Sequence, residues 1–137
     1  MSRLRVYCAS PFHRAAMWEE GRVLPPTLEI VSTWHKFEGG EHAVTPEEFR
    51  QHWLTDMREI KQAQLLIAYA EQRDKPQGTF VEIGAALGRA IPIYLVGNYP
   101  WSNWSHHPLV FQFLTFREAF EKLHNVLGAA VYDSTQN

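Results

Sequence analysis

Two acidic residues, Glu82 and Asp56, stand where the surrounding pattern is apolar. Glu82 lies in the run GTFVEIGAALGRAIPIYLVG (residues 78–97), whose glycine-rich start leads into a predicted helix. Burying an unpaired ionised carboxylate costs on the order of several kcal/mol, so this acid is paired, protonated or used in a reaction. We predict a place in the first helical turn, where the positive end of the helix dipole favours the ionised form that a carboxylate nucleophile needs. The alternative is a capping carboxylate that accepts backbone N–H bonds.

Asp56 belongs to a helix predicted from Pro46 to about Gln64. The segment TPEE (residues 45–48) marks the start, because it supplies an N-cap threonine, a first-turn proline and two acids. At about 100° per residue, Asp56 points only about 20° away from Phe49 and therefore belongs to the inward half of the helix, whereas Glu59 projects outward. The apolar stripe that defines this inward half is Phe49, Trp53, Met57 and Ile60. The alternative for Asp56 is a rim residue or a partner for an arginine.

The elements that must position these acids alternate between strand and helix. Continuous apolar runs predict strands, and the pattern predicts an α/β protein with a flavodoxin-like, doubly wound three-layer sandwich and a mainly parallel sheet of four to five strands. The predicted strands are Leu4 to Ala9, Leu28 to Trp34, Leu65 to Ala70 and Ile91 to Val96. The predicted helices are a short stretch through Trp18, the helix of Asp56, the helix of Glu82, and Thr115 to about Leu127.

Length and charge restrict the partners. The chain has 137 residues, of which 45% are hydrophobic, and we expect residues 1–137 to form a single domain. With 13 basic against 15 acidic residues, it has no positive field for nucleic acid polymers or an anionic membrane, so a small molecule fits better. The lone Cys8 cannot form an internal disulfide, and no long apolar leader is seen. We therefore expect a cytoplasmic setting.

In parallel sheets, ligands sit at the carboxyl ends of the strands. The loops after Ala9, Trp34, Ala70 and Val96 are therefore expected to form the rim of the site. The last of these contains WSNWSHH (residues 101–107), where Asn103 could contact a base or a neighbouring subunit; an aromatic-anchored surface loop is the alternative.

From about Arg5 to Gly97 the chain resembles the nucleoside 2-deoxyribosyltransferases and the related deoxynucleoside 5'-monophosphate N-glycosidases. Three motifs carry the resemblance: the first-strand turn YCASPF (residues 7–12), an aspartate eight residues before the third strand motif, and the block Gly-x-x-x-Glu-Ile-Gly-x-Ala. Here the aspartate is Asp56, and the block runs from Gly78 through Glu82, Ile83 and Gly84 to Ala86. The block together with the upstream aspartate is fairly specific.

The resemblance implies roles for these residues. Glu82 would attack the anomeric carbon of the sugar, and water or a second base would resolve the glycosyl-enzyme ester. Asp56 would orient the substrate and assist proton transfer to the base, which agrees with the needs of an oxocarbenium-like transition state and a poor leaving group. Further substrate contacts are expected from Tyr7, Ser10, Phe12, Trp34 and Gly78, with Trp34 offering a face on which a base can stack.

The chain also differs from the family. Pro76 stands where many transferases have a further aspartate, and Asp74 lies two residues earlier, so Asp74 would serve in base recognition only if the loop bulges; a solvated loop aspartate is the alternative. Phe12 and Pro76 also replace an arginine and a phosphate-binding serine of the monophosphate hydrolases. Ser10, His13 and Arg14 could still form a phosphate pocket. An unphosphorylated nucleoside is preferred, with 5'-monophosphate hydrolysis as the alternative.

Other classes of function are less well supported. The seven histidines lack the spacing of a metal site, and no Gly-x-Gly-x-x-Gly follows the first strand, so neither metal nor cofactor is expected. A nucleotide-binding module that has lost turnover is the remaining competitor from another class. Relatives build their sites at subunit contacts, and the tryptophans favour a homo-oligomer, a dimer or larger.

Overall fold

The centre of the molecule is a five-stranded parallel sheet. The computed structural model describes residues 3–19, 22–37 and 44–136, with side chains up to Leu127. The strands are β1 (Leu4–Ala9), β2 (Leu28–Ile30), β3 (Leu65–Tyr69), β4 (Ile93–Val96) and β5 (Val110–Phe113). Their order across the sheet is β2-β1-β3-β4-β5, which is the flavodoxin-like order of a doubly wound sheet. The predicted fold class is therefore confirmed.

The chain reverses its direction across the sheet after β2. Strand β1 pairs in parallel with β2 on one side and with β3 on the other. The connections after β1 and β3 consequently leave in opposite directions, and a crevice opens between the carboxyl ends of these two strands.

Helices cover both faces of the sheet. The α-helices are α1 (Pro46–Gln62), α2 (Gln77–Leu87) and α3 (Phe116–Gln136), and short 3₁₀ helices span Phe12–Trp18, Trp34–Lys36 and Asn103–His106. One core contains Tyr7 and Ala9 of β1, packed with Ile60 of α1 and Ile83 of α2. Alternate residues of the same strand face the other core, which contains Trp18 and the α3 residues Ala119 and Leu123. Burial on both faces explains why the strands are apolar throughout.

The start of α1 agrees with the prediction. The Thr45 hydroxyl accepts a hydrogen bond from the Glu48 N–H, and the Glu48 carboxylate accepts one from the Thr45 N–H, with Pro46 in the first turn. This reciprocal cap satisfies two N–H groups that the helix itself cannot pair.

Several elements differ from the predictions. Strand β2 ends at Ile30 rather than Trp34, because Trp34 begins a 3₁₀ turn. Strand β4 begins at Ile93, two residues later than predicted. The edge strand β5 (Val110–Phe113) was not predicted, since its four residues follow a polar loop and its middle residues are exposed. Among the described residues, no helix has the length and apolar character that a membrane span requires.

Candidate active site

A cavity of about 990 Å³ opens at the carboxyl ends of β1 and β3, where the topology predicts a ligand site. Its walls come from the loops after β1, β2 and β3, from the first half of α1 and from the start of α2. The lining residues are Ser10, Pro11, Phe12, His13, Thr33, Trp34, Lys36, Phe37, Val44, Phe49, His52, Trp53, Thr55, Asp56, Arg73, Asp74, Lys75, Pro76, Gln77, Gly78, Thr79 and Glu82.

Glu82 projects from α2 into this cavity, and only 5% of its surface is exposed. It is the sixth residue of the helix, so the predicted place in the first turn is wrong by one turn. The helix dipole therefore acts on it more weakly than expected. Burial raises the pKa of Glu82 to about 8, although a hydrogen bond from Tyr7 lowers it and the charge of Asp56 adds to the rise.

Asp56 lines the same cavity from α1 and is 8% exposed. The predicted inward orientation is therefore observed. Burial, together with the nearby charge of Glu59, raises the pKa of Asp56 to about 7. Glu59 is itself bound to the loop after β2, because its carboxylate accepts hydrogen bonds from the backbone N–H and the hydroxyl of Thr33, at 3.0 and 2.7 Å.

The two acids form an interacting pair, since the charge of Asp56 contributes to the raised pKa of Glu82. Helices α1 and α2 pack against each other and hold both carboxyl groups at one cavity. Near neutral pH the pair can therefore retain one proton, which gives one carboxylate and one carboxylic acid at the same cavity. A nucleophile and a proton donor for a single displacement reaction require this combination.

Tyr7 holds Glu82 in place through a hydrogen bond. Its ring is fully buried and does not line the cavity, but its hydroxyl donates a hydrogen bond to Oε2 of Glu82. Burial, followed by the charges of Glu82 and Asp56, raises the pKa of Tyr7, so the phenol keeps its proton. The predicted direct substrate contact is thus replaced by a position that orients Glu82.

Two aromatic residues, Phe12 and Trp34, line the cavity side by side. Their ring centroids are 6.1 Å apart, and the rings are inclined at 46°. The indole N–H of Trp34 donates to the Cys8 carbonyl at 2.7 Å, which ties the loop after β2 to the end of β1. An aromatic face is therefore held at the predicted place for a base.

Ser10 lines the cavity, but its hydroxyl is occupied within the protein. It accepts a hydrogen bond from the Trp18 indole at 2.9 Å and donates to the Pro11 carbonyl at 3.1 Å. This pattern fixes the turn after β1.

Asp74 also lines the cavity, and its side chain is only 6% exposed. Arg14 donates to both carboxylate oxygens, from Nε at 2.8 Å and from the guanidinium NH2 at 3.2 Å, and the Glu71 N–H donates at 2.8 Å. Burial alone would raise the pKa of Asp74, but these hydrogen bonds and the charge of Arg14 outweigh it and lower the pKa. Asp74 is therefore not a solvated loop residue, and Arg14 is turned toward it rather than toward the cavity.

Gly78 and Thr79 bring the first turn of α2 to the cavity. A Cβ atom at Gly78 would lie 3.7 Å from the Trp53 ring, in ordinary contact. Thr79 is 2% exposed, and within the described part of the chain its hydroxyl has no hydrogen-bond partner.

Asn103 is exposed and is not among the residues that line the cavity. Strand β4 lies beyond β3 in the sheet, and no residue of the loop that follows it lines the cavity, so the predicted fourth part of the rim is not observed. Trp101 and Trp104 of this loop instead pack on Phe80 of α2, with ring centroids 6.4 and 5.7 Å from it. A contact of Asn103 with a ligand stays a prediction.

Sequence reasoning missed several lining residues. His52 lies one turn before Asp56, and the cations Lys36, Arg73 and Lys75 line the rim. The apolar stripe of α1 did contain a signal, because its first residue lies at the cavity and not in the core. Phe49, predicted to be in the core, is 38% exposed and lines the cavity. No group of three metal-ligating side chains occurs among the residues described.

No protein-family model matches the sequence, and a search of curated protein sequences finds no match. Solved structures do match. A 2-deoxyribosyltransferase from the psychrotolerant bacterium Bacillus psychrosaccharolyticus has a TM-score of 0.62 and 19% identity, over 84% of this chain and 89% of that one. A conserved protein from Enterococcus faecalis V583 has a TM-score of 0.60 and 15% identity, over 90% of this chain and 98% of that one.

A third structure, the CMP N-glycosidase BcmB from Clostridium botulinum, has a TM-score of 0.49 and 20% identity, over 87% of this chain and 97% of that one. At these identities the first two matches establish a common fold. The resemblance predicted from the sequence is confirmed at that level: the chain has the fold of a nucleoside 2-deoxyribosyltransferase.

Proposed function

We propose that this protein is an enzyme that cleaves or exchanges the N-glycosidic bond of a nucleoside or 2'-deoxynucleoside, with Glu82 as nucleophile and Asp56 as proton donor. The observation that carries the proposal is the pair of buried acids on facing helices at one cavity. The shared fold with a 2-deoxyribosyltransferase agrees with it.

In the first step, the free oxygen of Glu82 attacks C1' of the sugar. Oε2 accepts from Tyr7, and within the described residues no hydrogen bond is found to Oε1, which is therefore the attacking atom. A C–O ester bond forms as the C1'–N bond breaks, and the base leaves with the bonding electron pair. This step uses the arrangement in which the shared proton lies on Asp56. Because the pKa of Glu82 (about 8) is higher than that of Asp56 (about 7), this is the less populated form of the singly protonated pair, and it is the form that reacts. Protonated Asp56 gives its proton to the base, which makes it a better leaving group.

In the second step, the ester is resolved. For hydrolysis, water attacks C1', the ionised Asp56 takes a proton from it, and Glu82 leaves as a carboxylate. For transfer, the ring nitrogen of a second base attacks instead and gives its proton to Asp56. Transfer is favoured where the pocket holds a base and excludes water.

The substrate class follows from the walls of the cavity. Phe12 and Trp34 suit the flat face of a nucleobase. Arg14 is paired with Asp74, so it is a poor candidate for binding phosphate, and this supports an unphosphorylated nucleoside.

Hydrolysis of nucleoside 5'-monophosphates is the second candidate. It is supported by the basic side chains at the rim, where Lys36, Arg73 and Lys75 could neutralise a phosphate. A non-catalytic nucleotide-binding module is the third, because the same cavity could bind a ligand without turnover.

Chromatography of reaction mixtures separates these candidates. The substrates are 2'-deoxynucleosides, ribonucleosides and their 5'-monophosphates, each with and without a second free base. Release of free base alone identifies a hydrolase, and a new nucleoside identifies a transferase. Ligand-induced thermal stabilisation without any base release would support the binding module and overturn the enzymatic proposal.

Variants of Glu82 test the assignment of the nucleophile. Glu82→Gln keeps the shape and the Tyr7 hydrogen bond but cannot form the ester, so turnover should be lost while the fold is retained. Mass spectrometry of the parent protein mixed with substrate should detect an adduct with the mass of the sugar, which this variant lacks. Turnover by Glu82→Gln at the parental rate would refute the role.

We also propose that the protein forms a homo-oligomer. Leu54 on α1 and Val81 on α2 are exposed at 56% and 54%, which favours an apolar contact between copies. Sedimentation velocity over a range of concentrations would detect it, and a monomer at all concentrations would contradict it.

A further inference from the structure

The hydroxyl of Thr79 is the polar group that the mechanism above leaves unused. Among the described residues it is the one fully buried side-chain polar atom without a hydrogen-bond partner. Leaving such a group unpaired is costly, so natural structures rarely contain one unless a ligand or water completes it. Thr79 also lines the cavity, which indicates that its missing partner comes from a bound molecule.

Thr79 stands three residues before Glu82 on α2, one helical turn away on a neighbouring part of the same face. In a displacement reaction, the nucleophile approaches C1' from the side opposite to the leaving base. A group on the helix of the nucleophile therefore faces the sugar rather than the base.

The electrostatic surroundings favour a neutral partner. The rim cations Arg73 and Lys75 are exposed, whereas Thr79 is 2% exposed and shares its part of the cavity with the acidic residue Glu82. A phosphate would meet its countercharges at the rim, but a sugar hydroxyl can both donate and accept next to Thr79.

We infer that the Thr79 hydroxyl binds a hydroxyl group of the substrate's sugar and so determines which sugars the enzyme accepts. This inference rests on the proposed function. A sugar that lacks the matching hydroxyl leaves Thr79 unpaired, and a site built for a hydrogen bond discriminates strongly against such an analogue.

The test combines a change in the protein with a change in the substrate. Thr79→Val removes the hydroxyl at nearly constant volume, and Thr79→Ser retains it. Each is assayed with a parent nucleoside that the enzyme accepts and with analogues that each lack one of its sugar hydroxyls: C3' or C5' for a 2'-deoxynucleoside, and also C2' for a ribonucleoside. We expect Thr79→Val to lower kcat/KM for the hydroxyl-bearing substrate by about 10- to 100-fold and to have little effect on the one analogue that lacks the partner. Thr79→Ser should have a kcat/KM for each substrate close to that of the parent protein.

Thr55 provides a matched control. It lines the same cavity, but its hydroxyl already accepts a hydrogen bond from Arg58 at 3.4 Å. Thr55→Val should change kcat/KM by the same factor for every sugar. If Thr79→Val fails to fold, Thr79→Ala replaces it in the comparison.

Two results would overturn the inference: an equal loss of kcat/KM by Thr79→Val on the parent nucleoside and on every analogue, or no loss on any of them. If the parent protein turns over no nucleoside, the proposed function fails instead. Calorimetry then compares the binding of the same nucleosides to the parent protein and to Thr79→Val. A loss of affinity in the variant that is confined to sugars with one particular hydroxyl supports the role of Thr79. Uniform affinity, or no binding at all, overturns it.

Discussion

The Tyr7 hydroxyl donates a hydrogen bond to Oε2 of Glu82, and both side chains are buried. Tyr7 comes from the inner strand β1 and Glu82 from helix α2, so the bond connects the sheet to the proposed nucleophile. It holds one carboxylate oxygen and leaves the other free for the reaction. It is also the interaction that opposes the rise in the pKa of Glu82.

Tyr7→Phe should therefore raise the pKa of Glu82 further. The nucleophile must be ionised, so the reactive form, with the shared proton on Asp56, becomes rarer and kcat/KM at neutral pH should fall by about 10- to 100-fold. The alkaline limb of the profile of kcat/KM against pH, which follows the higher pKa of the pair, should move to higher pH. Tyr94→Phe is the control, because Tyr94 is a buried tyrosine of β4 that belongs to the other core. A neutral-pH kcat/KM and an alkaline limb that both stay unchanged in Tyr7→Phe would contradict the role of the bond.

The parent protein should show a bell-shaped profile of kcat/KM against pH. Below about pH 7 both acids are protonated and no nucleophile exists; above about pH 8 both are ionised and no proton donor remains. We expect the maximum between these values. Stopped assays across pH 5 to 10 measure it, and a flat profile would count against a proton-sharing pair.

Asp56→Asn should remove the alkaline limb, because no proton donor is left to titrate. With ordinary nucleosides kcat/KM should fall by about 10²- to 10⁴-fold. With a 7-methylguanine nucleoside, whose cationic base leaves without protonation, the loss should be much smaller. Glu47→Gln, which changes an exposed acid in the first turn of the same helix, serves as control. Equal losses on both substrates would show that Asp56 does not donate the proton.

The order of strands and helices and the two acids were predictable from the sequence, because each depends on local pattern. Apolar runs alternate with helical signals, and Asp56 and Glu82 interrupt apolar stripes. The exposed edge strand β5 was missed because it has too few buried residues to give a continuous apolar run.

The partners of side chains could not be predicted, since they join residues distant in the chain. Arg14 binds Asp74 across 60 positions, and Tyr7 reaches Glu82 across 75. The spacing of apolar residues along the sequence carries no information about such contacts. For this reason the sequence suggested Arg14 as a phosphate ligand and Tyr7 as a substrate contact, and the structure places both elsewhere.

The pair of Arg14 and Asp74 holds the loop that follows β3, which carries Arg73 and Lys75 to the rim of the cavity. Arg14→Gln should free this loop and raise KM several-fold for nucleosides and 5'-monophosphates alike, with kcat little changed. Faster hydrogen exchange in residues 71–77 should accompany the change. Arg117→Gln, which breaks an exposed pair on α3, is the control. A rise in KM confined to 5'-monophosphates would instead identify Arg14 as a phosphate ligand.

Burial of Glu82 should also make the stability of the fold depend on pH. The pKa of Glu82 rises from 4.5 to about 8 on folding, so the folded state holds its proton more tightly than the unfolded state. The free energy of unfolding should therefore decrease as the pH rises from about 4.5 to about 8, because ionisation then favours the unfolded chain. Glu82→Gln cannot ionise and should remove this contribution, becoming more stable than the parent at pH 9 by roughly a few kcal/mol while matching it near pH 4.5. Urea unfolding of both proteins at a series of pH values measures the difference, and a constant difference across the series would mean that Glu82 is not buried as a proton-holding acid.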